Sequence, residues 1–471
     1  AFDRREWCYY NAMRSDAAGV SWLKRLRAGT FTTILYNHTT YAIYSSYEQQ
    51  RDHPEYLACG PDGKPYAGYP AGRGMPRYTD PGFRAAAAAY MNKVFEAFPD
   101  LSAMSVGPPD GGIRMDARDV ERYGTPGESL EQKTSRYVWE FHLFLAAELA
   151  KTHPGKRLIY MTGAGAREVP TTLARIPENL VVPLRGYSPA HRALESERRA
   201  LALADGAWRP HRPPGQRAPV WNYFLWYRSP SHPRYPVIFT AALQEEMRDL
   251  APVCDGKFIE IQPASIKQDG REVWRLNTPG LIHLMVYWQA RLFWDPDQDR
   301  QPLLDEYYTL FFGPARDAMK GFYEFAEAVW TRQESRSVTE TTGFLKPPDV
   351  DRYFELLARA RADAGAGTVY DRRIARLEEE MQSLKQFFPS LKRTGPTFQA
   401  AVLDAAPAVD GDLAEYRGLA AIPLRDNWTG EAPASNGTEA VVALTPDRSA
   451  LVVAVTCRED RMAHLKADCA K

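Results

Sequence analysis

The chain has 471 residues, 44% hydrophobic and 25% charged, which excludes a disordered or fibrous polymer and leaves room for a large core with accessory units. Lysine plus arginine equals aspartate plus glutamate at 59 each, so the chain lacks the broad basic field of a nucleic-acid binder, and no nucleic-acid partner is expected. It contains no apolar run long enough for a membrane span, and the N-terminus AFDRREWCYY lacks the basic-then-apolar pattern of a signal peptide.

In chain order, short apolar strand-like runs alternate with amphipathic helical stretches to about residue 300. The strand candidates are Trp7–Ala12, Phe31–His38, Leu101–Gly107, Arg157–Gly163, Asn179–Gly186, Pro219–Trp226 and Lys257–Gln262. Helices are expected over Asp80–Phe98, Leu130–Lys151, Ala190–Ala204, Pro236–Leu250 and Pro279–Trp294. Such alternation means parallel strands joined by crossover helices. No G-x-G-x-x-G or P-loop follows a strand, which favours a TIM-type (β/α)8 barrel, residues 1–300, over an open doubly wound sheet; an eighth strand is not identified. Residues 301–395 read as a helical subdomain, with LLDEYYTLFF, DAMKGFYEFAEAVW, DVDRYFELLARARA and DRRIARLEEEMQSLKQFF as successive amphipathic segments. Residues 396–471 change to short alternating runs such as EAVVAL and SALVVAVT between turn residues, the texture of a partial β-sandwich.

In Lys257-Phe-Ile-Glu-Ile-Gln262, alternation places Phe258, Glu260 and Gln262 on one face and the two isoleucines on the other. In a barrel the isoleucine face packs on helices and the Glu260 face points to the axis near the strand's C-terminal end, which makes Glu260 the first acid/base candidate; a structural ion pair with a buried arginine is the competing reading. Met104-Ser-Val-Gly-Pro-Pro-Asp-Gly-Gly112 reads as a strand running into a loop, which puts Asp110 where barrel catalysts sit, although Asp-Gly is also an ordinary turn signal. Asn37 and His38 end another strand with groups suited to hydrogen-bond sugar hydroxyls or orient a carboxylate, a satisfied core histidine being the competing reading, and Arg114 and Arg185 can orient a carboxylate or the substrate. Val220-Trp-Asn-Tyr-Phe-Leu-Trp-Tyr227 sets Trp221, Asn222, Tyr223, Trp226 and Tyr227 on one strand as a candidate sugar-stacking platform, half of which belongs to the core. The cysteines Cys8, Cys59, Cys254, Cys457 and Cys469 lack C-x-x-C spacing and the nine histidines form no H-E-x-x-H, so neither metal nor cofactor is expected.

The ordered succession YNHTTY, DHPEYLA with DGK shortly after, SVGPPDGG, VWNYFLWY, a G-x-x-x-E strand, GLIHLMVYWQARLFWDPDQD and LLDEYYTLFFGPA resembles the bacterial family named domain of unknown function 4838, across about residues 1 to 330. Its characterised members form glycoside hydrolase family 163. The resemblance implies a barrel related to α-glucuronidases, endo-β-N-acetylglucosaminidase activity on complex N-glycans, and a secreted, periplasmic or cell-surface location. It also implies that His38 and Asp110 lie at the active-site mouth, that Glu260 is the strand-end acid, and that Trp221 to Tyr227 form part of the sugar-binding wall. One departure is Gly112-Ile-Arg-Met-Asp-Ala-Arg-Asp119, where family members often carry a cysteine cluster, so the family's specificity is not carried into that loop. The tail from Ala408-Val-Asp-Gly-Asp-Leu-Ala-Glu-Tyr416 is similar to the opening of a family-nine-type carbohydrate-binding module.

Cleavage beside an N-acetylglucosamine can use the substrate's own acetamide as nucleophile, leaving the protein to supply one acid and one stabilising carboxylate. The residues implied are Glu260 and Asp110, acting on a glycan substrate. Two alternatives are an ordinary two-carboxylate glycosidase, such as an α-glucuronidase-like enzyme, and a non-catalytic glycan-binding barrel.

Overall fold

The computed structural model describes residues 4–8, 16–27, 34–35, 38–44, 47–66, 74–109, 113–124, 126–160, 168–183, 206–225, 234–261, 263–332, 345–391, 400–408, 412–424 and 438–457. The chain divides into two compact units, Ala1–Leu391 and Lys392–Lys471.

In the first unit the strands are β1 (Arg4–Cys8), β2 (Ile34–Leu35), β3 (Ala103–Ser105), β4 (Arg157–Ile159), β5 (Leu180–Val181), β6 (Ala218–Leu225) and β7 (Cys254–Ile261). They lie within or beside the seven expected segments and are mostly shorter. The helices among them are α1 (Ala17–Arg25), α2 (Tyr41–Tyr44), α3 (Tyr47–Asp52), α4 (Pro81–Ala97), α5 (Leu130–Thr152) and α6 (Thr240–Leu250). Local chemistry fixes the long ones. Asp80 accepts from Phe83 N at 2.9 Å with Pro81 at the first turn of α4, and Ser129 and Gln132 form a reciprocal capping box on α5. The expected helix Ala190–Ala204 lies outside the described residues.

Every pairing of these strands is parallel. One sheet runs β2-β3-β4-β5 and the other β1-β7-β6. Within the first sheet consecutive strands are neighbours, and in the second β7 lies between β6 and β1, the last strand beside the first. No pairing of β1 with β2, or of β5 with β6, occurs among the described residues, so the architecture established is α/β with two parallel sheets. A feature missed by sequence reading follows β7: the antiparallel hairpin β8 (Pro263–Gln268) and β9 (Arg271–Leu276), turned at Asp269 and Gly270 with φ of 51° and 75°. Asp-Gly is the pair that favours such a two-residue turn, so the signal was present.

β7 is anchored from one face. Ile259 and Ile261 are fully buried in a core shared with α6 and the helices that follow. Lys257 on the same face reaches Glu246 of α6 with Nζ to Oε2 at 2.6 Å, both side chains almost fully enclosed. These helices are α7 (Pro279–Leu292), α8 (Arg300–Phe312), α9 (Arg316–Trp330), α10 (Pro347–Ala364), α11 (Val369–Glu380) and α12 (Gln382–Leu391). The expected last helical segment is divided at Met381 into α11 and α12. A second core joins α4 and α5 to β3, β4 and β5.

Two acids from this later helical layer cap helices that follow β6 and β7. The residues preceding α6 and α7, Phe239 and Thr278, supply no side-chain cap, and Thr278 is left-handed at φ 48°. Instead Glu327 of α9 accepts from Thr240 Oγ1 at 2.8 Å and Ala241 N at 3.0 Å, while Glu380 of α11 accepts from Gly280 N at 3.2 Å and Leu281 N at 3.0 Å. A Cβ at residue 280 would stand 3.2 Å from Leu377 Cα, so glycine permits the close approach of α11 to α7. Burial raises the Glu380 carboxyl above its ordinary range.

The second unit holds one four-stranded sheet: β10 (Ala401–Val402), β11 (Ala421–Leu424), β12 (Thr438–Leu444) and β13 (Leu451–Cys457). β12 pairs antiparallel with β11 and β13 and parallel with β10. Leu403, Tyr416, Ala443 and Ala454 form its small core, and Leu451, Val453 and Val455 are exposed. A second sandwich layer is not among the described residues.

Removing one partner of a buried ion pair leaves the other charge uncompensated, at a cost of about 3–5 kcal/mol. Lys257→Met should therefore lower the urea midpoint sharply, and adding Glu246→Leu should recover most of the loss; a single variant as stable as wild type would refute the role of the pair.

His142 is wholly buried in α5, its Nδ1 donating to Val138 O at 2.9 Å, and burial lowers its pKa to about 4. His283, stacked on Trp22 and Phe311, is lowered to about 3 by burial, with Arg373 adding to the effect. A histidine with a folded pKa below its unfolded value of 6.5 is protonated first in the unfolded chain, so its contribution is full above that pH and is lost as pH falls. Stability should be level near pH 7 and decline between pH 6.5 and 4.5, and His142→Gln should flatten that decline in urea titrations.

Candidate active site

Parallel strands deliver the loops at their C-terminal ends to one edge of a sheet, where barrel enzymes place their chemistry. Past the β2/β3 ladder, three consecutive side chains hold the loop leaving β3. His38 Nδ1 donates to Pro108 O, Thr39 Oγ1 to Ser105 O at 2.5 Å, and Thr40 Oγ1 to Gly107 O at 2.6 Å, a carbonyl that also accepts from Thr40 N at 3.3 Å. Thr39 and Thr40 are buried, as are residues 105–109. The bond to Pro108 puts the proton of a neutral His38 ring on Nδ1 and makes Nε2 its acceptor nitrogen.

A second set of bonds gathers residues 116–119. The fully buried Asp116 accepts from Cys59 N at 2.8 Å, from Arg118 N at 2.8 Å, and from Arg118 Nε and Nη2 at 2.7 and 2.8 Å. Ala117 N returns a bond to Cys59 O at 2.9 Å. Burial opposes ionisation, but these hydrogen bonds together outweigh it and hold the Asp116 pKa at about 2. Arg77 lies 3.7 Å from Asp116 and donates twice to Asp119 at 3.1 Å, and Thr79 Oγ1 also donates to Asp119. Cys59, Arg77 and Thr79 are thereby fastened to residues 116–119.

On the other sheet, Glu260 is the penultimate residue of β7, with Cys8 of β1 as its Cα partner. Trp221 of β6 pairs with Phe258 and Asn222 with Ile259. Parallel partners share a sheet face, so Asn222, only 1% exposed, falls on the helix-packed side with Ile259 rather than beside Trp221. An irregularity in register between Asn222 and Leu225 ends the regular alternation of the aromatic strand, which includes Tyr223.

Arg114 is exposed, and its guanidinium stands 5.8 Å from the centre of the Tyr66 ring. Asn37, Asp110, Arg185, Trp226, Tyr227 and Gln262 lie outside the described residues. Sequence reading missed Thr39, Thr40, Arg77, Asp116 and Asp119. The signals available were two threonines directly after a strand and an Asp-x-Arg-Asp run after a Gly-rich loop, both ordinary away from this context. Among the described residues no cluster of histidine, cysteine and carboxylate side chains is arranged to hold a metal, and no helix is long and apolar enough to cross a membrane.

The family model described as "Domain of unknown function (DUF4838)" matches residues 2–324. The chain belongs to this family. Membership in DUF4838 covers both parallel sheets and the first helices of the later layer, including Glu260, Asp116 and the threonine pair. No curated protein matches the chain. Among solved structures it is similar to a glycoside hydrolase family 138 enzyme targeting pectin rhamnogalacturonan II, at 12% identity and a TM-score of 0.34, over 78% of this chain and 52% of that one. It is also similar to a family 115 4-O-methyl-α-glucuronidase with specificity for decorated arabinogalactans, at 9% identity and a TM-score of 0.44, over 77% of this chain and 48% of that one. The chain thus spans about half the length of these structures.

Proposed function

We propose that this DUF4838 protein is a retaining glycoside hydrolase that cleaves beside an N-acetylglucosamine of N-glycans or related glycans with the help of the substrate's acetamide. The observation that carries the reading is the setting of position 260: the penultimate residue of a strand paired on both sides, whose neighbours Ile259 and Ile261 bury the opposite face against helices. Alternation assigns position 260 to the face of Phe258 and Trp221, away from the helical layer. The parallel pairing of the seventh strand with the first supports closure into a (β/α)8-type barrel with that face toward the axis. The resemblance of the strand-end motifs to glycoside hydrolase family 163 supports the substrate class, an extracytoplasmic location, and a carbohydrate-binding-module-like role for the C-terminal unit.

In this reading Glu260 protonates the glycosidic oxygen as the C1–O bond breaks, while the acetamide oxygen bonds to C1 from the opposite face. The carboxylate of Asp110 accepts the acetamide N–H and offsets the positive charge that develops on the ring. Water then attacks C1, gives its proton to Glu260, and returns the acetamide with the original anomeric configuration. Trp221 and Tyr223, with Trp226 and Tyr227, offer flat apolar faces to the sugar, and His38, Asn37, Arg114, Arg185 and Gln262 serve its hydroxyl groups.

The test is hydrolysis of a complex biantennary N-glycan with product masses. Wild type should split the chitobiose core with retention, and Glu260→Gln should lose about 10²–10⁴-fold in turnover. Wild-type rates in that variant, or an inverted product, would refute the mechanism.

A further inference from the structure

Helices α1 and α7 run side by side in the same direction. At their starts Asp16, the N-cap of α1, accepts from Leu276 N at 3.0 Å just ahead of α7. Midway the Trp22 and His283 rings stack at 4.9 Å, and at their ends the Arg27 guanidinium stands 5.4 Å from the centre of the Trp294 ring. The partnership is unequal. α1 has nine residues and α7 fourteen, about 14 Å against about 21 Å of helix. His283, Tyr287, Arg291 and Trp294 follow one another at helical spacing along α7 and the turn that ends it. Trp22 covers the first of them, and past the end of α1 a cleft of about 570 Å³ opens over the other three, with Arg25 and Arg27 as its opposite wall.

The cleft combines cations with flat rings. Asp295 is the one carboxylate among its described lining residues, and its Oδ1 accepts from Asp297 N at 2.9 Å. The three arginines form no ion pair among the described residues: Arg291 Nη2 donates to the neutral Gln298 Oε1 at 3.1 Å, and Arg27 lies over the Trp294 ring. Trp294 is 42% exposed, and Tyr287 is half-buried. Arg27 also takes the left-handed conformation, φ 54°, one residue past the α1 cap, where helices usually place glycine. Attraction to the partial negative charge of a helix C-terminus accounts for a cation at either end. It does not account for two aromatic faces beside them, nor for a concavity within the roughly 300–1,000 Å³ of small-molecule sites.

We infer that this cleft is a binding site for a carboxylate-bearing sugar. The apolar face of the sugar ring lies against Trp294 and Tyr287, and its carboxylate is held by Arg27 and Arg291, whose planar forks match the two carboxylate oxygens, with Arg25 adding charge at the rim. None of these residues is among those assigned to catalysis, so the inference stands apart from the reaction proposed above.

The experiment is isothermal titration of the full chain with digalacturonate, with the neutral disaccharide lactose and with inorganic phosphate, melting temperatures being measured in parallel. Wild type should bind one equivalent of digalacturonate, more weakly in about 0.5 M than in about 0.05 M sodium chloride because the cleft is open to water. Arg27→Ala and Arg291→Ala should each weaken binding about 10–100-fold and Trp294→Ala about 10-fold. Lactose, which lacks the carboxylate, and phosphate, which lacks the ring, should each bind at least about 10-fold more weakly than digalacturonate. A role confined to the helix ends would lower the melting temperature of the arginine variants and leave wild type without saturable binding, which overturns the inference. Equal affinity in wild type and the folded arginine variants places the ligand elsewhere and also overturns it. Phosphate bound as tightly as digalacturonate marks a general anion patch, and lactose bound as tightly removes the role of the carboxylate; either result refutes the assignment. If Arg291→Ala does not fold, the exposed Arg27→Ala decides between the same outcomes.

Discussion

The parallel pairing of β1 with β7 carries the first unit. Arg4 lies against Gly256 and Cys8 against Glu260, so strands from the two ends of the α/β region share one ladder. Once β7 has β1 on one edge and β6 on the other, its two faces are committed. Ile259, Ile261 and Lys257 go to the helices, and the remaining alternate positions are left to the opposite side. A one-residue slip of β7 would exchange the two sets and bury position 260 against α6. The fully buried isoleucines and the Lys257–Glu246 pair oppose that slip from one face.

The later helices do more than cover this face. Glu327 and Glu380 reach from α9 and α11 to the starts of α6 and α7, where the local sequence offers no cap, and satisfy amide groups that would otherwise be left without partners. Each such contact is worth about 1 kcal/mol at a helix start, and Gly280 lets the second one form at close range. The later helices and the α/β part therefore share one core and one set of caps, consistent with their clustering as a single compact unit.

Periodicity made much of this legible. The strand cores read as short β-branched or apolar runs because parallel strands are buried on both faces, and α4 and α5 were legible from an Asp-Pro opening and from apolar residues at helical spacing respectively. The hairpin of β8 and β9 was passed over because its residues are largely exposed and charged, so no hydrophobic alternation marks it, although Asp269-Gly270 does. At the site, the Glu260 position follows from alternation alone. Asn222 shows where that reasoning stops: its face is set by register with Ile259, which no single strand encodes. The Thr39–Thr40 and Asp116 contacts join segments that are distant in sequence, and the residues themselves are common turn formers, so pairwise geometry was needed to find them.

Arg77 stands between Asp116 and Asp119, with the two carboxylates almost wholly enclosed and the Arg77 side chain only 20% exposed. Mobile ions weaken charge pairs chiefly by reaching them through water, and here little water has access. The wall that follows the β3 loop is therefore built to keep its shape from dilute buffer to strongly saline surroundings, whereas paired charges at the surface, such as Arg51 with Asp52, would fade over the same range.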